Sequence, residues 1–198
     1  MNDREWDKRL RVKTVGREDV FDANYAPYEP TPYPVLERLA ESGLIKRRDH
    51  VLDYGCGKGR VAFFLADQIG CRVTGIEQSE KLIALAKENR RTARTGDRVE
   101  LVHALAEQYA PRDENAFFFF NPFSAVIFES ALRRIEGSAL AGSASKRVFC
   151  YYPSEEYVAA LERCPHARFL REITFDDVFG GRDARERLIA YEVSVSVD

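Results

Sequence analysis

Asp53, Glu77 and Asn121 are the residues whose types and spacing could do chemistry: two carboxylates and a carboxamide, each closing a short apolar run. Asp53 opens the stretch Asp53-Tyr54-Gly55-Cys56-Gly57-Lys58-Gly59-Arg60, with Val51-Leu52 before it and the apolar run Val61 to Ala66 after it. That pattern reads as strand, tight loop, helix. Glycines let a backbone turn sharply and approach a ligand where a Cβ would collide. The helix that follows aims unpaired N–H groups at the same spot. Such a loop holds a nucleotide-like cofactor above the ends of parallel strands. About twenty residues on, Cys71-Arg72-Val73-Thr74-Gly75-Ile76-Glu77 is a second apolar strand ending in an acid. Glu77 reads in two ways, as an acceptor for ribose hydroxyls or as a solvated charge before a helix start at Ser79 and Glu80. The loop upstream favours the sugar. Asn121 ends the run Ala116-Phe117-Phe118-Phe119-Phe120 and is followed by Pro122 and Phe123. It reads either as a polar group presented at a strand end or as a plain turn former.

Spacing narrows the cofactor. A phosphate-binding Walker loop needs Gly-Lys-Ser/Thr, and here Lys58 is followed by Gly59. A dinucleotide loop begun at Gly55 meets Arg60 where glycine is required, whereas one begun at Gly57 gives the tolerated Gly57, Gly59, Ala62, so a dinucleotide stays open. An acid two places before three alternating glycines resembles the first motif of the class I S-adenosylmethionine-dependent methyltransferases. The resemblance implies S-adenosylmethionine as cofactor, with S-adenosylhomocysteine as its product. It implies a cofactor site of Asp53, Gly55, Cys56, Gly57, Gly59, Glu77, Gln78, Ala104, Leu105 and Asn121. The physics agrees, because this cofactor has no pyrophosphate but carries a sulfonium and an α-amino group that suit Asp53. Many members have an acid after the third strand for the adenine. Val102-His103-Ala104-Leu105-Ala106 offers none, which leaves adenine to backbone groups and apolar walls, with His103 or Glu107 nearby.

Two further stretches carry resemblances. Asn121-Pro122-Phe123 is similar to the Asn/Asp-Pro-Pro-aromatic motif of amino-group methyltransferases, and implies catalytic roles for all three. There the Asn side chain and the next backbone carbonyl accept hydrogen bonds from the target amine, and the ring stacks on the substrate. This chain departs in having one proline, with Phe123 one place early. Tyr28-Glu29-Pro30-Thr31 resembles the Tyr-x-Pro-Ser/Thr element of seven-strand protein lysine methyltransferases and their bacterial relatives. It implies that Tyr28 and Thr31 face the pocket. Tyr25, Tyr33 and Tyr152 are expected to add aromatic walls around a substrate amine.

These residues need a frame, and the chain alternates accordingly. Strands are expected at 50–54, 71–76, 98–103, 116–120 and 147–152, separated by helices at 59–69, 79–94 and 124–136. A Gly/Ser/Ala loop over 137–145, a helix at 154–164, and strands at 168–175 and 187–197 complete the order. Alternation means a parallel sheet with helices on both faces. The expected class is therefore α/β: a Rossmann-like class I methyltransferase fold with seven strands, mostly parallel, and a C-terminal antiparallel strand. Two parts are expected, an N-terminal arm or lid at 1–33 and the cofactor-binding domain at 34–198. Residues 1 to about 20 read as either a frayed arm or an amphipathic segment folded over the domain. Pro27, Pro30, Pro32 and Pro34 force the next stretch to be extended.

With 198 residues and a formal net charge of −2, nothing basic overall argues for nucleic acid. Cys56, Cys71, Cys150 and Cys164 have no metal-like spacing and read as reduced apolar residues. No run approaches the roughly 18 apolar residues of a membrane span, and the charged start lacks the core of a secretory leader, so the expected location is the cytoplasm. The expected function is methyl transfer from S-adenosylmethionine to a nitrogen of a protein, lysine-like, or of a small molecule. The alternatives are a nucleic-acid methyltransferase and a non-catalytic S-adenosylmethionine-binding module. The residues do not choose the acceptor.

Overall fold

The computed structural model describes residues 1–17, 24–142 and 145–194. It contains α1 (Asp3–Leu10), α2 (Tyr33–Glu41), β1 (His50–Tyr54), α3 (Arg60–Gln68), β2 (Arg72–Glu77), α4 (Glu80–Thr92), β3 (Val99–His103) and β4 (Ala116–Phe119). Then come α5 (Ala125–Gly142), β5 (Lys146–Tyr151), α6 (Glu155–Arg163), β6 (Ala167–Thr174), α7 (Asp176–Phe179) and β7 (Arg187–Val193). The sheet has seven strands in the order β3-β2-β1-β4-β5-β7-β6. β3, β2, β1, β4 and β5 pair in parallel, and β7 runs antiparallel between β5 and β6. The strand order reverses at β1 and β4, with β2 and β3 added on one side and β5 on the other, so a crevice opens at the carboxyl ends of those two strands.

The phenylalanine run explains how the sheet holds its layers. Side chains alternate across a strand, so Phe118 joins Val51, Phe149 and the residues of α1 to α4 on one face. Phe117 and Phe119 join Leu52, Val148 and the residues of α5 and α6 on the other. β1 is buried throughout, as a strand covered on both faces must be.

Two elements depart from expectation, and a third settles an open reading. Residues 137–142, expected as loop, continue α5, because Phe128, Leu132, Ile135 and Ala139 keep one buried stripe at helical spacing. A short helix, α7, was not foreseen. Of the two readings open for the N-terminal stretch, α1 follows the second, an amphipathic segment folded over the domain, and it is capped: Asn2 Oδ1 accepts Glu5 N–H at 3.0 Å and Glu5 Oε2 accepts Asn2 N–H at 2.8 Å. Its Trp6 stacks on Tyr33 and meets Phe64 edge-on, with ring centroids 5.5 and 4.9 Å away. Of the last strand's expected inward residues, Val195 and Val197 lie outside the described residues, as do 18–20 of the N-terminal stretch.

Candidate cofactor and acceptor site

The carboxyl ends of β1, β2, β4 and β5 surround a cavity of 330 Å³, roofed by residues 25–32. The start of the glycine loop, Gly55 and Cys56, lines it, and the glycines have reasons of their own. Gly55 has φ +71°, and a Cβ there would lie 2.7 Å from Pro122 Cβ. Gly57 has φ +53°, and a Cβ there would lie 2.2 Å from the Tyr28 ring. Any side chain would break this packing as well as strain the backbone.

Asp53 ends β1 inside the cavity. Its Oδ2 is buried without a hydrogen-bond partner. Burial first, and the neighbouring charge of Glu77 second, push the Asp53 carboxyl up to about 8. Glu77 ends β2, where Oε2 accepts the Gly57 N–H at 3.0 Å and Oε1 accepts the Ser79 N–H at 2.8 Å. Burial pushes Glu77 upward as well, against the pull of those backbone donors. Both oxygens keep a lone pair for a further donor. Two adjacent buried acids, one of them orphaned, make a site for a ligand that brings positive charge and donor hydroxyls. The donor set therefore fits S-adenosylmethionine, whose amino group would lie against Asp53 and whose ribose against Glu77.

Asn121 follows β4 with φ +40°, a left-handed conformation that few non-glycine residues adopt. It lines the cavity and makes no hydrogen bond to another described residue through its side chain. Tyr152, just past β5, shares the left-handed backbone with φ +51°. Its phenol donates to Asp183 Oδ2 at 2.5 Å and accepts from Arg185 Nη2 at 2.6 Å, which ties the loop before β7 to the site. Beside it the Tyr151 phenol donates to Glu186 Oε2 at 2.6 Å. Burial, then that hydrogen bond, then the charges of Glu186 and Glu29 raise the Tyr151 phenol.

Of the residues singled out in the sequence, Tyr25, Tyr28, Thr31, Asp53, Gly55, Cys56, Glu77, Gln78, Ala104, Asn121, Pro122, Phe123 and Tyr152 line this cavity. Gly57, Gly59, Leu105 and Tyr33 do not. Tyr28 covers Gly57, Gly59 faces Phe63 as the left-handed cap of α3, and Ala106 takes the place expected of Leu105. Tyr33 is a correction: it is fully buried against Trp6 and Phe64, and its phenol donates to Asp7 Oδ1 at 2.6 Å. Two expected substrate contacts are occupied within the chain. The Pro122 carbonyl accepts the Ala26 N–H at 3.0 Å, where residues 24–26 pair with 122–124. Phe123 is packed among Tyr25, Tyr54, Phe119 and Tyr157, so it is a wall rather than a stacking platform. His103 points out of the site, bound through Nε2 to the Gln78 carbonyl at 2.8 Å.

Sequence reasoning missed Arg60, Phe120, Tyr151 and Glu186, all of which line the cavity. Arg60 did leave a signal, since it stands where a dinucleotide loop would need glycine. Glu186 left none, because only the antiparallel register of β7 on β5 brings it to Tyr151.

Known proteins agree with this geometry. Residues 51–136 match the family model described as a methyltransferase domain. A histone-lysine N-methyltransferase specific for lysine 79 of H3, from Dictyostelium discoideum, is 43% identical over 63 residues, 32% of this chain and 3% of that protein. A protein-lysine N-methyltransferase of Saccharolobus islandicus is 33% identical over 66 residues, 33% of this chain and 41% of that protein. The chain thus spans well under two thirds of either relative. Among solved structures, an RNA methyltransferase from Salinibacter ruber in complex with S-adenosyl-L-homocysteine superposes with a TM-score of 0.64 at 18% identity. That match covers 86% of this chain and 97% of the other. No helix among the described residues is long and apolar enough to cross a membrane. Residues 51–136 thus match a methyltransferase domain and sit in a β3-β2-β1-β4-β5-β7-β6 sheet of the class I methyltransferase fold, and the glycine loop flanked by Asp53 and Glu77 fits S-adenosylmethionine as cofactor.

Proposed function

We propose that the chain methylates a nitrogen, and that the nitrogen is the side-chain amine of a lysine in a protein. The observation that carries this reading is the cavity wall where Glu186 accepts the Tyr151 phenol at 2.6 Å, with Glu29 and the ring of Phe120 lining the same cavity. Carboxylates and aromatic faces both attract a cationic amine. Only on the order of one lysine in a thousand is neutral at pH 7. Aromatic walls that strip water from the amine raise that fraction. The two lysine methyltransferases that share about a third of this chain support the same acceptor.

S-adenosylmethionine supplies an electrophilic methyl group on a positive sulfur. The chain's own residues then have little covalent work: they must align the amine, keep it unprotonated and exclude water. Asn121 is proposed to accept a hydrogen bond from the amine, which turns the nitrogen lone pair inward. Pro122 and Phe123 are proposed to fix Asn121 in its left-handed conformation. Tyr25, Tyr28 and Thr31 are proposed to close the site from above.

The test is transfer of tritiated methyl from S-adenosylmethionine into a total lysate, followed by separation of protein and RNA. Label on protein lysine is expected. Label confined to RNA or small molecules overturns the acceptor, and absence of any transfer by protein that binds S-adenosylhomocysteine overturns the activity. Asn121→Ala should lower transfer by ~100-fold and change S-adenosylhomocysteine affinity by less than about threefold. Full activity in that variant removes Asn121 from the chemistry.

A further inference from the structure

Two stretches of chain 76 residues apart meet on the surface of α4 and gather cations there. α4 carries Lys87, Arg90 and Arg91 in its last two turns, all exposed. Positive charge suits a helix C-terminus, and these three alone would mean no more than that. The turn after α1, however, lies against the same helix. Buried Asn89 accepts the Lys13 N–H at 2.8 Å and donates to the Lys13 carbonyl at 3.2 Å. Thr92 Oγ1 donates to the Arg11 carbonyl at 2.8 Å. These bonds fix the backbone of Arg11 and Lys13 beside the helix and leave both residues exposed.

The arrangement works against the stability of the chain by itself. Like charges crowded on neighbouring elements repel. Among the described residues none of Arg11, Lys13, Lys87, Arg90 and Arg91 forms an ion pair, whereas nearby Arg94 does, with Asp67 at 3.7 Å. Glu88 is the one acid in those two turns of α4. Arg11 adds backbone strain. It caps α1 at φ +60°, a left-handed position that favours glycine. A self-repelling and locally strained set of cations is completed by an anion from outside. The exposed aromatic residues, Phe169 and Phe179, belong to β6 and α7. The patch therefore lacks the aromatic anchors of a protein interface and the stacking platform of a single-strand binder. The phosphate backbone of a duplex needs neither, only positive charge, and the guanidinium fork matches phosphate.

We propose that Arg11, Lys13, Lys87, Arg90 and Arg91 form a docking surface for the phosphate backbone of a double-stranded nucleic acid, bound without regard to sequence. None of the five lines the cofactor cavity, so the duplex is held outside the site and is not the methyl acceptor. The formal net charge of −2 conceals this surface. The inference is independent of the cofactor and of the acceptor.

The experiment is fluorescence anisotropy with short labelled DNA and RNA duplexes of arbitrary sequence. At least one is expected to bind, with log affinity falling against log salt at a slope of about −4, roughly 200-fold between about 50 and 200 mM. Arg91→Glu should weaken binding at the lower salt by about 5- to 20-fold and make the slope shallower by about 1 to 2. Arg11→Gly separates charge from fold. It keeps the carbonyl that Thr92 holds and relaxes the cap, so duplex affinity should fall about threefold to tenfold while Tm holds or rises. S-adenosylhomocysteine affinity should be unchanged in both variants. Failure of both duplexes to bind at the lower salt overturns the proposal, as does binding that both variants retain in full. Displacement of the duplex by polyglutamate at equal charge concentration would assign the surface to an acidic protein segment, and overturns it as well. Failure of S-adenosylhomocysteine to bind the wild type would strike the cofactor reading and leave the duplex result standing.

Discussion

Asp53 sets the pH behaviour of the site. Burial and Glu77 hold its carboxyl near 8 in the ligand-free chain, and a cation beside it lowers that value. Cofactor binding therefore expels a proton at any pH between the bound and free values. Affinity should rise by up to tenfold per pH unit towards pH 8 and level off above it. Calorimetry at pH 7 in buffers of different ionisation enthalpy should show close to one proton released per S-adenosylhomocysteine. No release means that Asp53 does not meet the amino group. The stability sign is opposite to that of a paired carboxylate. Because the native chain binds the proton more tightly than the unfolded one, ligand-free stability falls as pH rises from the ordinary aspartate range through 8. Asp53→Asn should thus raise the ligand-free Tm at pH 8.5 by roughly 2–6 °C and abolish the proton release. Asp53 and Glu77 were legible in the sequence because an acid at the end of an apolar run is a local pattern. The burial that orphans Asp53 Oδ2 was not, since it depends on strands more than twenty residues apart.

At the scale of elements, most of the frame was legible and its failures have a common cause. Alternating apolar runs with turn residues between them placed six of the seven strands to within about two residues, while the last, expected to reach 197, ends at Val193. The order and the reversed last pair followed from the resemblance. The 137–145 segment was misread because Gly137, Ser138 and Gly142 are turn formers taken one at a time, whereas Ile135 and Ala139 keep the buried stripe going. Gly137 itself does nothing special. It is exposed, with no unusual φ, and a Cβ would meet nothing within 4 Å. Gly137→Ala should stabilise the chain by about 0.5–1 kcal/mol through helix propensity alone, which reads as a Tm rise of roughly 1–4 °C. A lower Tm would mean that α5 ends before residue 137.

The whole molecule is organised so that its first residues complete a site built by its middle. α1 contributes Asp3 to Arg60, the turn after it contributes Thr14, and residues 25–32 roof the glycine loop. The hub of this arrangement is Asp7, buried and accepting four hydrogen bonds from Thr14, Val15 and Tyr33. The sequence could not show this, because Asp7 sits in a stretch of mixed charge that looks solvated throughout. If the N-terminal stretch served stability alone, its loss would lower Tm and leave ligand affinity alone. If it shapes the cofactor site through Arg60 and Tyr28, both must change. Asp7→Ala removes the shared acceptor and leaves buried donors unmatched, at a cost of about 3 kcal/mol and a Tm lower by roughly 6–12 °C. At a temperature where the variant is still folded by circular dichroism, S-adenosylhomocysteine should bind at least ~10-fold more weakly than to the wild type. An unchanged dissociation constant with a lowered Tm would reduce the N-terminal segment to a strut. A paired loss makes it a working wall of the cofactor site, and in that case saturating S-adenosylhomocysteine should restore less Tm to the variant than to the wild type.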